Sequence, residues 1–412
     1  LRNAYLHDNM YPNATPLKTI LEPIRMKLTD LKLNLRQYGD NSTIIDLPHL
    51  QKLEEISVGT LCLRKNVDNS LEINSLRGPG CETVLKSPKL EEVNITCRKV
   101  QVLQLEGLSN TLKKVMVSKC TDFTGLPKLF AAVGQSLTHL EFYNCDNKII
   151  PSLIGSNIKL PVLESLSFHQ HAISTSTPGL LDSGLKELLK IPGTCLKSLK
   201  LVGMFTAENL NIKANSFPNL EVLNLSMCLR LRDPGLKNFI QVAGENIKQL
   251  ILKGTEVNGQ LIGRMGIIFP KLVVCDLSWS KLDVNEGEGL KNLLLLAGED
   301  LKQLNLEGLD YSDTANSSSS QDLKVLAGRF PNLEYLNLSF NLHINDVGLE
   351  NYLQIAGKNL KDLDLDSCEN IVCEGVTGTE CRFPHLETLI LTGCTKLKTV
   401  GLKNLLKMSG PG

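Results

Sequence analysis

Residues 333–341 read LEYLNLSFN. Leu333, Leu336 and Leu338 stand at spacings of three and two, and Asn341 follows three residues after the last of them. Leu336 and Leu338 alternate with Tyr335, Asn337 and Ser339. In an extended chain successive side chains point to opposite faces, so the leucines share one face and the other three share the opposite one. The rhythm recurs. LEEVNI begins at Leu90, LKKVMV at Leu112, LTHLEF at Leu137, LESLSF at Leu163, LKSLKL at Leu196 and LEVLNL at Leu220. IKQLIL begins at Ile247, LVVCDL at Leu272, LKQLNL at Leu301, LKDLDL at Leu360 and LETLIL at Leu386. Poorer copies are LTDLKL at Leu28 and LEEISV at Leu53, and the long step from Leu53 to Leu90 leaves room for one degenerate turn around Leu71. One such unit cannot bury its own apolar side. The pattern therefore predicts stacked units, with strands in parallel, leucines inward and a grid of side chains outward.

A second signal follows some strands: DSGLKELL (182–189), DPGLKNFI (233–240), NDVGLENYL (345–353) and VGLKNLL (400–406). An Asp or Asn accepts from the first free N–H groups of a helix. Leucines three and four apart give a short amphipathic helix, to be laid on the convex side. A longer period lies over this one. Phe-Pro enters the repeats at Phe217, Phe269, Phe330 and Phe383. Ala-Gly enters those at Ala243, Ala297 and Ala356, with VGQSL at 133–137 as an earlier relative. Two repeat types alternate. Gly directly after a helix suits a left-handed cap.

LxxLxL with a period in the high twenties and a D-x-G-L helix start resembles the leucine-rich repeat family. The likeness is to its ribonuclease-inhibitor-like and cysteine-containing subclasses, the latter common in the substrate-binding halves of F-box proteins. It covers residues 90–408 closely and 28–89 poorly. The resemblance implies an α/β leucine-rich repeat solenoid, a horseshoe with a parallel β-sheet on the concave face and short helices on the convex face. Residues 1–27 would be an N-terminal capping segment, 28–408 a solenoid of about 14 repeats with 28–89 irregular, and 409–412 a C-terminal tail.

The chain has 412 residues, 44 Lys+Arg against 44 Asp+Glu, and 42% hydrophobic residues. A folded protein is expected, and a neutral balance argues against a nucleic-acid surface. No run reaches the length of a membrane span, and residues 1–15 have no signal-peptide core. A domain ahead of Leu1 is compatible with this start.

The twelve cysteines become readable through the repeat. Eight residues on from a frame's first leucine stand Cys120, Cys145, Cys228, Cys368 and Cys394, and also Asn341. This is the turn where leucine-rich repeats place Asn or Cys to satisfy neighbouring backbone groups. Cys275 replaces a core leucine. Buried free thiols favour a reducing compartment, cytoplasmic or nuclear. Cys373 and Cys381 share one loop and have the option of a disulfide. Sequons at Asn13, Asn41, Asn94, Asn224, Asn316 and Asn337 point instead to an extracellular location, although Asn94, Asn224 and Asn337 sit mid-strand where the repeat itself generates them. His171 holds the same turn position as the cysteines. His139 and His169 fall about four residues out of step on adjacent strands, roughly 13 Å at 3.3 Å per residue, too far for one metal. No nucleophile elbow, Walker loop, H-E-x-x-H or dinucleotide fingerprint occurs. No enzyme activity and no cofactor are expected.

What remains is the outward grid. It carries Glu141, Tyr143 and His169 in early frames, then Asp276 and Trp279, Glu307, Tyr335 and Phe340, and the row Asp362, Asp364 and Asp366. Aromatics favour interface hot spots, and an acidic ridge attracts a basic peptide. The competing readings are that Trp279 and Phe340 tuck against the next turn and that the acidic row is a solubilising face. The expected partner is a protein with a basic segment, with no nucleic acid and no membrane span, and the chain a monomer or part of a larger complex. Three functions fit: the substrate-recognition module of a ubiquitin-ligase adaptor, an extracellular recognition or adhesion receptor domain, and a ribonuclease-inhibitor-like regulator of an enzyme.

Overall fold

The computed structural model describes residues 112–119, 122–123, 126–145, 158–170, 182–203, 207–210, 212–282, 288–309, 323–374 and 382–409, together with the backbone of short strands between residues 3 and 106. Cys120, His171, Cys381, the sequons at Asn13, Asn41 and Asn316 and the Ser-rich loop at 312–321 lie outside them.

A strand starts two residues after the first leucine of every frame read from the sequence. The starts are Asp30, Glu55, Glu92, Lys114, His139, Ser165, Ser198, Val222, Gln249, Val274, Gln303, Tyr335, Asp362 and Thr388. The chain divides into two compact units, Leu1–Ile173 with Ser183–Leu196, and Ser174–Asp182 with Lys197–Gly412.

In the first unit Lys114–Ser118, His139–Tyr143 and Ser165–His169 pair in parallel without slip, Lys114 opposite His139 and His139 opposite Ser165. Beyond the frame's own strand, the long step between Leu53 and Leu90 holds three strands, Leu61–Lys65, Ser70–Ser75 and Glu82–Lys86. Leu61–Lys65 runs antiparallel to both Glu55–Val58 and Ser70–Ser75, and Ser70–Ser75 returns to a parallel pairing with Glu92–Cys97. Leu71 lies on that returning strand.

In the second unit eight strands, from Ser198–Val202 to Thr388–Ile390, pair in parallel in one constant register. Equivalent leucines stack on the inner face. Leu220, Leu223, Leu225, Leu333, Leu336 and Leu338 are all fully buried. Burying one such side chain is worth about 1.5–3 kcal/mol, and the gain exists only when a neighbouring repeat covers it.

Helices appear in alternate repeats. Asp233–Val242, Glu288–Leu294, Asp346–Ile355 and Thr399–Met408 follow the Phe-Pro frames. The Ala-Gly frame at Ile247 has only the 3-10 turn Ile262–Arg264. Its run GTEVNGQLIGRMG has neither the leucine spacing nor the propensity for more, with four glycines that each weaken a helix.

The alternation has a physical cause. Phe217 bridges Ala243, Phe269 bridges Ala297 and Phe330 bridges Ala356, each as a small parallel pair on the far side of the repeat, and Leu160 bridges Pro192 in the same way. Among the described residues, every such bridge joins a repeat to the next repeat of the same doublet. The glycine after each of these residues lies on the proline of its partner. A Cβ at Gly244 would stand 2.7 Å from the Pro218 carbonyl oxygen, one at Gly298 2.8 Å from that of Pro270, and one at Gly357 2.5 Å from the Pro331 Cα. None of the three glycines is among the positive-φ residues. The expectation of a left-handed cap is thereby corrected: these glycines make room for close backbone approach.

The Asp of the helix start needs a second correction. Asp233 is 4% exposed, and the N-cap residue before it, Arg232, makes no side-chain cap to the helix. It accepts from the backbone N–H of Asn258 and Gly259 through Oδ1 and of Leu261 through Oδ2, all in the following repeat. Asp346 likewise accepts from Val372 and Cys373. The cap of that helix is Asn345, which accepts from Gly348. The carboxylate of D-x-G-L is a tie between repeats.

Candidate functional site

Three columns of residues follow each strand and set what the grid displays. Four residues on from the first leucine, an Asn or Asp folds back to accept from the N–H two residues later. Asn224 does this to Ser226, Asp276 to Ser278, Asn305 to Glu307, Asn337 to Ser339 and Asp364 to Asp366. One oxygen of Asp276 and of Asp364 is therefore committed to ending the strand. Asn337, at the head of a sequon, is 7% exposed with its amide oxygen occupied, which leaves no room for a glycan in the folded chain. Ser167, Ser278 and Ser339, assigned outward by alternation, are buried. The larger side chains around them close over so small a residue.

Seven residues on, the backbone turns left-handed in nearly every frame: Lys119, Asn144, Gly203, Met227, Gly254, Trp279, Gly308, Phe340, Ser367 and Gly393 all have positive φ. Eight residues on, a donor reaches back to the carbonyl of the preceding repeat. Cys145 donates to Val117, Cys228 to Leu201, Ser280 to Leu252, Asn341 to Leu306, Cys368 to Leu338 and Cys394 to Leu365. The expected role of this column is thus resolved to single atoms. Cys275 is 2% exposed, and burial pushes its thiol up to about 12. Cys373 is a buried free thiol.

The residues singled out from the sequence form two clusters. In the first unit the Tyr143 hydroxyl donates to Glu141 at 3.1 Å, and the Tyr143 ring stacks on His169 with centroids 4.6 Å apart and planes 8° from parallel. Burial, then the Glu141 carboxylate, raises the Tyr143 pKa. His139 pairs with Ser165 while His169 pairs with Tyr143, so the two histidines stand at opposite ends of their strands. Among the described residues no cluster of His, Cys, Asp and Glu could hold a metal ion.

In the second unit the four strands from Val274 to Asp364 place Asp276, Glu307, Asp362 and Asp364 around Tyr335, and Asp366 follows two residues after Asp364. The outward positions of these frames carry no Lys or Arg. Tyr335 is half-buried. Burial raises its pKa first, and the charges of Asp364, Glu307 and Asp276 raise it further. Lys302, Gln303, Glu334, Tyr335 and Asp362 line an open depression at the start of these strands. Glu334, missed by a reading confined to alternate positions, sits there between two ammoniums, Lys302 at 2.8 Å and Lys361 at 2.7 Å. Both lysines are engaged by Glu334. Trp279 and Phe340 stand at the left-handed turns, on the rim of the sheet, with ring centroids 5.8 Å apart and planes at 41°. Trp279 does lean on the next turn, over Gly308, while Phe340 is 40% exposed.

Parallel strands in constant register, inward leucines and a polar turn ladder define a leucine-rich repeat fold. A scan against known protein families gives no match. Among solved structures the chain is similar to a leucine-rich repeat protein of Leptospira interrogans, with 17% sequence identity and a TM-score of 0.46, over 99% of this chain and 88% of that one. No helix among the described residues is long and apolar enough to cross a membrane.

Proposed function

We propose that the chain is a non-catalytic scaffold that binds a basic segment of a partner protein on the strands from Val274 to Asp364. The observation that carries this reading is the acidic field around Tyr335: Asp364, Glu307 and Asp276 act on its hydroxyl, Asp362 is its strand partner, and the outward positions of these frames carry no Lys or Arg. A grid fixed by stacked repeats loses little order on binding, so a few anchors suffice. The biological role best suited to it is substrate recognition within a ubiquitin-ligase adaptor. The cysteine column, a donor ladder of buried thiols, supports an intracellular setting of this kind. The alternation of two repeat types favours a second reading, a ribonuclease-inhibitor-like regulator of a basic enzyme.

The test is charge removal that spares the fold. Asn305 and Asn337 already do with an amide oxygen what Asp364 does with a carboxylate, so D362N/D364N/D366N keeps the strand ends intact. Fluorescence anisotropy with a lysine-rich nonapeptide should show binding to the native chain that weakens as salt rises, and at least tenfold weaker binding to the triple variant. Equal affinity for both proteins rejects the acidic surface. For the adaptor role, the triple variant expressed in the protein's own cells should lower the ubiquitin conjugates carried by its bound partner. Unchanged conjugates reject that role alone.

A further inference from the structure

The left-handed column contains an anomaly. A turn that demands positive φ is free of penalty for glycine, and Gly203, Gly254, Gly308 and Gly393 use it so. Met227, Trp279 and Phe340 occupy the same turn with φ of 57–58°. Bulky side chains are rare there, and each strains the turn. Packing returns little of this for two of them, since Met227 is 44% and Phe340 40% exposed. The three are ordered along the rim. Glycine and large residue alternate from Gly203 to Phe340, and Gly254 and Gly308 are each the seat of the large residue before them. A Cβ at Gly254 would stand 2.9 Å from the Met227 sulfur, and one at Gly308 2.7 Å from the Trp279 ring. Trp279 then reaches Phe340. Leu229 and Leu342, two residues further on in their turns, add exposure of 46% and 39%. The result is one apolar ridge across five repeats, about 19 Å at ~4.8 Å per strand, the length of roughly six extended residues.

We propose that this ridge docks a large apolar side chain carried by the basic segment, which crosses the strands in extended form. The basic half of that occupant rests on the function proposed above. Charge complementarity selects it and orients it. Glu307 directly precedes Gly308, beneath the Trp279 ring, and the Asp366 carbonyl accepts from the Phe340 N–H. Acid therefore borders the Trp279–Phe340 end. Lys253 directly precedes Gly254 and borders the Met227 end. The cations of the segment lie toward Phe340 and its apolar side chain toward Met227.

Glycine substitution separates binding from folding, because glycine suits the turn. M227G/F340G should melt at or above the native temperature. Three labelled nonapeptides serve as probes: lysine-rich with two leucines, the same with serines for leucines, and the same with glutamates for lysines. The lysine–leucine peptide should bind the native chain at least tenfold more tightly than the lysine–serine peptide. In M227G/F340G that advantage should vanish, with lysine–serine binding unchanged within twofold. If both lysine peptides bind alike, or the advantage survives in the variant, the ridge is not the seat, whatever D362N/D364N/D366N shows for the acidic surface. If the glutamate–leucine peptide binds as well as the lysine–leucine one, and both are lost in the variant, the basic occupant is wrong. Native self-association in sedimentation that M227G/F340G abolishes would overturn the proposal in favour of a second copy of the chain.

Discussion

Asn341 and Cys368 hold equivalent places in their turns and satisfy the same kind of carbonyl, but the two side chains are not equal. The frame before Asn341 has Leu309 in the donor position, so its backbone lacks a local partner. Asn341 supplies one: its Oδ1 accepts from the Leu309 N–H while its Nδ2 donates to Leu306 and Leu338. A thiol has only the donor half of that chemistry. Glu334 gives the residue scale its pH dependence. Hydrogen bonds from Lys302 and then Lys361 hold its carboxyl down at about 2, from an ordinary 4.5. A depressed folded-state pKa adds stability above the unfolded value and loses it as pH falls toward the folded one. E334Q should therefore lower the melting temperature at pH 6, and the gap to the native chain should close between about pH 4.5 and 2. A gap that stays constant over that window, in melts followed by circular dichroism, would show that the two lysines do not shift this carboxyl.

At the scale of elements, the doublet is held by backbone meeting backbone. Gly357 has an ordinary φ, so replacing it by alanine ought to stabilise through the unfolded state if nothing stood in the way. The Pro331 backbone does stand in the way. G357A should cost about 1–3 kcal/mol, as overpacking does, read from the urea midpoint. A rise in stability would mean the joint has slack. The strands and inward leucines were legible in the sequence because alternation is a direct record of which face is buried. The tie made by Asp233 was not, because a helix-start Asp looks the same whether it accepts from its own helix or from the next repeat. The left-handed column was legible in part: four glycines seven residues on from the first apolar residue of a frame mark the turn. The large residues in register with them hid it, since sequence alone treats Trp279 and Phe340 as strand positions.

For the whole molecule burial, in the donor column and outside it, decides thiol chemistry. Burial pushes Cys368 and Cys373 up to about 12, as it does Cys275. Cys145 and Cys228 are equally enclosed, whereas Cys195 is exposed. A thiol reagent at pH 8 should modify Cys195 first among the described cysteines. Cys145, Cys228, Cys275, Cys368 and Cys373 should react only on denaturation, since the thiolate is the nucleophile. Peptide mapping of singly labelled protein checks this. Early labelling of Cys368 or Cys228 would mean that the turns open far more readily than their packing allows. Sites were less legible than fold. Acidic side chains on an outward face look alike in sequence, and it is the geometry of Tyr335, with Asp364, Glu307 and Asp276 around it, that separates a field from a scatter.

The pairing of Phe-Pro with Ala-Gly also bears on how such a chain can change its length. A single repeat added or removed would set Phe-Pro against Phe-Pro, or Ala-Gly against Ala-Gly, and neither makes the bridge. Two repeats taken together leave only junctions that the molecule already has. Joining Phe269 directly to Pro331 would place Asn341 where Ser280 now meets the Leu252 carbonyl, donor for donor. The heritable unit of growth is therefore the pair, and a lineage of such proteins should differ in reach by even steps.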